Sequence, residues 1–134
     1  MTKFLSAFYQ PASGFFLLRW TVAGLMLLHG ISKLLHGVGP IQGMLANLGL
    51  PTFIAYGVLV GEVAAPLFVL ANRMVAPAAL VMAFNMLVAV ALAHTSQFFT
   101  LAKTGGWALE LQALYFFGSL AIALMAPPRS NNAH

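Results

Sequence analysis

Cysteine and aspartate are absent from this 134-residue chain, and only two carboxylate side chains remain, Glu62 and Glu110. The lack of cysteine excludes disulfide exchange, thiolate chemistry, iron–sulfur ligation and a Cys-based zinc site. Charge of either sign is scarce. Charged residues make up 6% of the chain, against about 25% in a soluble domain. Six basic and two acidic side chains cannot wet a globule whose residues are 61% apolar. Nor does the net charge of +4 point to nucleic acid. Lys3, Arg19, Lys33, Arg73, Lys103 and Arg129 are spread singly, with no cluster to track phosphates.

What the chain does have is long apolar runs. A membrane-spanning helix needs roughly 20 largely apolar residues. Four runs qualify, over about residues 14–35, 52–71, 74–94 and 107–126. The expected fold class is therefore all-α: an integral membrane four-helix bundle forming a single domain over residues 1–134. Only Asn72 and Arg73 join the second and third runs, which forces an antiparallel hairpin. The stretch 37–51 predicts a short interfacial or re-entrant helix between the first two spans. Ile41, Met44, Leu45 and Leu48 fall at helical spacing, Pro40 suits a first helical position, and Gly49 suits a C-terminal cap. Phe4, Leu5 and Phe8 give the N-terminus an interfacial character as well. The first run is too long for a cleaved signal peptide, and no small-residue cleavage site follows it. Lys3, Arg19, Arg73 and Arg129 fall on one side of such a bundle, Lys33 and Lys103 on the other, which favours cytoplasmic termini.

The rare polar residues fall inside these runs. Glu62 lies near the middle of the second span, where a carboxylate is costly and a functional hypothesis by default. Glu110 lies just inside the fourth. His29 and Lys33 are four residues apart and share a helix face, and His94 closes the third span. Traced through alternating span directions, His29, Lys33, His94 and Glu110 occupy the half of the membrane opposite the termini, with Glu62 somewhat deeper. One polar pocket open to the extracytoplasmic side is expected. Pro66 cannot donate to the carbonyl of Glu62, so the backbone there is expected to be loosened.

Other residues have ordinary expectations. Arg19 reads as a snorkelling topology anchor. Trp107, Tyr115, Phe98 and Phe99 suit an aromatic belt. Met82 and Met86 suit packing, Ala79 and Ala83 suit close helix contacts, and His36 and His134 carry no assignment.

Taken in order, Leu17-Leu18-Arg19-Trp20, His29-Gly30-x-x-Lys33, Leu48-Gly49-Leu50-Pro51, Gly61-Glu62, His94 and Glu110 resemble the DoxX family along nearly the whole chain. That resemblance implies a small four-helix protein of the bacterial inner membrane, similar to the small membrane subunit of a thiosulfate:quinone oxidoreductase. It implies a quinone-linked oxidoreductase subunit whose catalytic and quinone-binding residues are drawn from His29, Lys33, Glu62, His94 and Glu110. The donors would be His29, Lys33 and His94, and the proton relays Glu62 and Glu110. No covalent cofactor motif is visible, and the chain ends in a short polar tail. The electron donor is thus expected on a soluble or membrane partner chain. Two alternatives are a non-enzymatic protein that binds or transports a small molecule or metal, and an accessory or assembly subunit. Lys33 beside His29 argues against a cation site, because an ammonium repels metal.

Overall fold

A computed structural model describes residues 2–93, 95–97 and 99–128. His94, Phe98 and Arg129, each given a reading above, and the unassigned His134 lie outside the described residues. The chain is helical almost throughout. After a short α1 (Thr2–Ser6) come α2 (Pro11–His36), α3 (Gly39–Asn47), α4 (Ile54–Leu59), a π-helical turn (Val60–Ala64), α5 (Ala65–Leu70), α6 (Val75–Ala93) and α7 (Glu110–Met125). Among the described residues no strand forms; Leu101 and Trp107 make an isolated antiparallel bridge before α7.

α2, the α4–π–α5 rod, α6 and α7 pack in chain order as a closed ring, each touching its two neighbours, with α6 and α7 in the most extensive contact. The centre is apolar: Met26, Val69, Ala79, Met82 and Ile122 are fully buried. Ala79, Met82, Ala83 and Met86 face inward, as expected of packing residues. The outside is apolar too. Phe16, Leu28, Phe84, Leu114 and Phe117 are all more than half exposed. Such a surface far exceeds the apolar patches a soluble monomer tolerates. Two helices, Pro11–His36 and Val75–Leu92, are long and apolar enough to cross a membrane, while Ile54–Leu70 and Glu110–Met125 are shorter apolar helices.

Helix α3 occupies the stretch predicted for it, with Pro40 in its first turn. It ends in a Schellman motif. Gly49 adopts a φ of 73°, Leu50 N–H donates to the Leu45 carbonyl at 2.8 Å, and Gly49 N–H donates to that of Ala46 at 3.0 Å. The 71–74 link closes α5 in the same manner. Asn72 sits at φ 58°, with Arg73 N–H bonded to Phe68 O and Asn72 N–H to Val69 O. Arg19 differs from its expected role. It is buried, donates to the Val69 carbonyl at 3.1 Å, and lies over the rings of Phe15 and Phe16. It caps the end of the neighbouring helix instead of reaching outward.

Pro66 has the consequence read from the sequence. The ladder slips to i→i+5 spacing, with Ala65 N–H bonded to Val60 O, and the widened turn is centred on Glu62. α2 packs directly on this bulge. A Cβ at Gly30 would overlap the Glu62 carbonyl oxygen and Val63 Cγ2. Gly30→Ala therefore forces two backbones apart, and overpacking of this kind costs about 1–3 kcal/mol. Gly24, with nothing within 4 Å of its would-be Cβ, is the control: Gly24→Ala should gain about 0.5–1 kcal/mol from helix propensity. Thermal melting of the two variants in detergent checks this. Equal behaviour would mean that α2 does not rest on the π turn.

Candidate functional site

The π turn aims Glu62 into the ring, and the residue keeps only 3% of its side-chain surface exposed. Two neighbours meet it. Lys33, in the last turn of α2, places Nζ 2.6 Å from both Oε1 and Oε2. From α6, Asn85 Nδ2 donates to Oε1 at 3.3 Å. Gly61 makes that second contact possible, since a Cβ there would collide with the Asn85 side chain. Lys33 retains 32% side-chain exposure. The pair is thus polarised, with the anion inside and the cation toward the opening.

The donor and acceptor count leaves something over. An ammonium has three N–H donors and a carboxylate about four lone-pair sites. Glu62 engages two of the donors, while Lys33 and Asn85 engage three of the sites. One donor and one acceptor remain for a ligand. They face a cavity of about 300 Å³ whose walls include His29, Lys33, Glu62, Met86, Gln112 and Tyr115. Across it, the buried Tyr115 hydroxyl lies 3.5 Å from His29 Nε2, and the two rings meet edge to face. Which of the two groups donates depends on the histidine tautomer. Gln112 Oε1 is buried with no partner among the described residues.

Of the residues singled out in the sequence, His29, Lys33 and Glu62 come together on this cavity. Glu110 does not line it. It is exposed at the first turn of α7, with its carboxylate against Gly106. His94 lies outside the described residues. Three contributors were not placed at the pocket by the sequence reading. Asn85 is a lone amide in an otherwise apolar α6, and that isolation was its signal. Gln112 lies two residues past Glu110. Tyr115, read there as a belt residue, is instead buried against His29. His36 bonds within its own helix, to the Ser32 carbonyl at 2.9 Å. Among the described residues, no three of His, Cys, Asp or Glu gather where they could share a metal ion.

The DoxX family model matches residues 14–95, more than half of the chain. That span holds His29, Lys33, Glu62 and Asn85, while Gln112 and Tyr115 lie beyond it. No curated protein and no solved structure matches the chain.

The coupling of the pair is measurable. Removing one member of a buried ion pair strands the other and costs about 3–5 kcal/mol, whereas removing both is often nearly neutral. Lys33→Met should therefore lower stability in detergent markedly, and Lys33→Met/Glu62→Gln should recover at least half of the loss. Strictly additive losses would show that the two side chains do not depend on each other.

Proposed function

The chain belongs to the DoxX family, and from that premise we propose that it is the quinone-binding subunit of a membrane oxidoreductase. The observation that carries this reading is the Lys33–Glu62 ion pair forming one wall of an otherwise largely apolar chamber, with His29 and Tyr115 also on its walls. Quinone reduction consumes two electrons and two protons. The head group needs hydrogen-bond donors for two carbonyl oxygens and groups that can hand over protons as negative charge develops. Lys33 has a donor to spare, and the His29–Tyr115 couple carries a second. Glu62 holds the ammonium in place and can take up the next proton. Electrons enter from a partner chain of the reductase class. This division makes the chain a binding and proton-handling subunit. The charged pair also favours a redox head group over an unreactive solute, because its two members can exchange a proton without moving.

In this reading the ring of helices is a single four-span domain in the bacterial inner membrane, with both termini cytoplasmic. Two helices are short for a span, the α4–π–α5 rod at 17 residues and α7 at 16. α7, at about 1.5 Å per residue, is roughly 24 Å long, several Å short of a hydrocarbon core of about 30 Å. The bridged 101–107 segment before it, with Ala102 N–H on Gly106 O at 2.6 Å and Ala108 N–H on Thr100 O at 3.0 Å, pairs part of its backbone internally and extends the span toward the interface. Orientation rests on free positive charge. Among the described residues Lys33 is committed to Glu62 and Arg19 to the Val69 carbonyl, which leaves Lys103 against Lys3 and Arg73.

Two measurements test this. Gently extracted protein should retain quinone near one per chain by mass spectrometry, and Glu62→Gln should lose it while keeping a cooperative melt. Folded wild-type protein that neither retains quinone nor takes up an added one would end the reading. Because the chain has no cysteine, Asn72→Cys gives a single label. It should react with an impermeant maleimide only after the cells are opened, and labelling in intact cells would reverse the orientation.

A further inference from the structure

Next to the chamber lies a second cavity of about 330 Å³, between α6 and α7. Its walls are almost entirely apolar, with Leu87, Val90 and Ala91 on one side and Ala113, Phe116 and Phe117 on the other. Met86 and Gln112 belong to the walls of both cavities. The two spaces therefore adjoin, and the buried Oε1 of Gln112, which has no partner among the described residues, lies on the residue they share.

We infer that the α6–α7 groove holds the linear apolar tail of the same molecule whose polar head occupies the Lys33–Glu62 chamber, so that the site selects a tailed membrane amphiphile and not a head group alone. The inference rests on the quinone-site reading and narrows it to lipid-borne quinones. Three features support it. The change in wall chemistry, from an ion pair and a His–Tyr couple to phenylalanine and aliphatic side chains, matches the change along such a molecule. The shared residues, Met86 and Gln112, place the two spaces side by side. Gln112 stands at the join, where its amide presents an acceptor or, turned over, a donor to the oxygen nearest the tail. Inside a bilayer a tail gains nothing from leaving water, since lipid is as apolar as the groove. Selection must come from close contact with walls of fixed shape, which sum many small dispersion terms.

The test compares one benzoquinone head with and without a decyl chain, each radiolabelled. Binding to the full chain in nanodiscs is measured against quinone mole fraction in the lipid, which removes the effect of partitioning. The decyl compound should bind about tenfold more tightly, equivalent to about 1.4 kcal/mol. Ala113→Phe, which fills the groove from α7, should abolish that advantage and leave the tail-less compound's affinity unchanged. Ala91→Phe, filling it from the exposed face of α6, should do the same and stands in if Ala113→Phe fails to fold. Equal affinities in the wild type would overturn the inference and leave the groove to ordinary lipid. So would a tail advantage that survives a filled groove. If neither compound binds, the quinone-site reading falls with it. If the tail-less compound binds as well as the tailed one, only the tail groove falls.

Discussion

The ion pair between Lys33 and Glu62 is the constraint to which the rest of the structure is fitted. Both oxygens of Glu62 accept from one ammonium at 2.6 Å, and an amide from a third helix completes the carboxylate's surroundings. Each contact needs a local concession. Pro66 removes a backbone donor and the helix widens into a π turn at Glu62. Gly30 lets α2 come down onto the exposed carbonyl of that turn, and Gly61 makes room for Asn85. In water these would be liabilities. Here they bring three helices to one carboxylate.

A buried ion pair is weak evidence for stability, because desolvation cancels much of the attraction. Replacing it with well-packed apolar residues would be simpler in a bundle already rich in them. Its value lies in what the hydrogen-bond count leaves open, one N–H of Lys33 and one lone pair of Glu62 facing a cavity. The same economy with polar groups recurs at the other end of the ring. There the last turn of α5 is closed by Asn72 and Arg73 backbone bonds and by the Arg19 guanidinium. A helix leaves its last carbonyls without intrahelical partners. Arg19 supplies one, held between its own helix's aromatic rings and its neighbour's terminus.

The helical content and the polar residues on α2 and the π turn were legible in the sequence because an apolar run makes any charge conspicuous. Helix boundaries came within about three residues, and the widest misses have causes. α2 begins at Pro11, before the predicted Gly14, since proline suits a first turn. α7 begins at Glu110, after the predicted Trp107, because Trp107 is held in the bridge to Leu101. Pro66 announced the distortion at Glu62, though not its form. Side-chain direction was less legible. Gln112, Tyr115 and Ser119 fall at helical spacing on one face of α7, a polar stripe that the reading of Tyr115 as a belt residue passed over. Arg19 misled because a basic residue near a span end has two destinations, the interface or a neighbour's carbonyls, and spacing does not distinguish them.

The site divides along a boundary that the chain itself draws. Every charged group on the chamber comes from α2 and the π turn, within the residues that match the family model. α7, beyond that match, brings uncharged groups: a tyrosine hydroxyl, a glutamine amide, and the aromatic wall of the adjoining groove. The charged half is tied together by the Lys33–Glu62 ion pair and by the seat of α2 on the bulge at Gly30. The α7 half is held by apolar packing along α6, with no charge anchoring it at the chamber. A change of side chain on α7 can therefore reshape the cavity without altering the Lys33–Glu62 pair. In physical terms the charge resides on one side of the cavity and the uncharged polar and aromatic groups on the other, with Gln112 shared between the cavity and its neighbour.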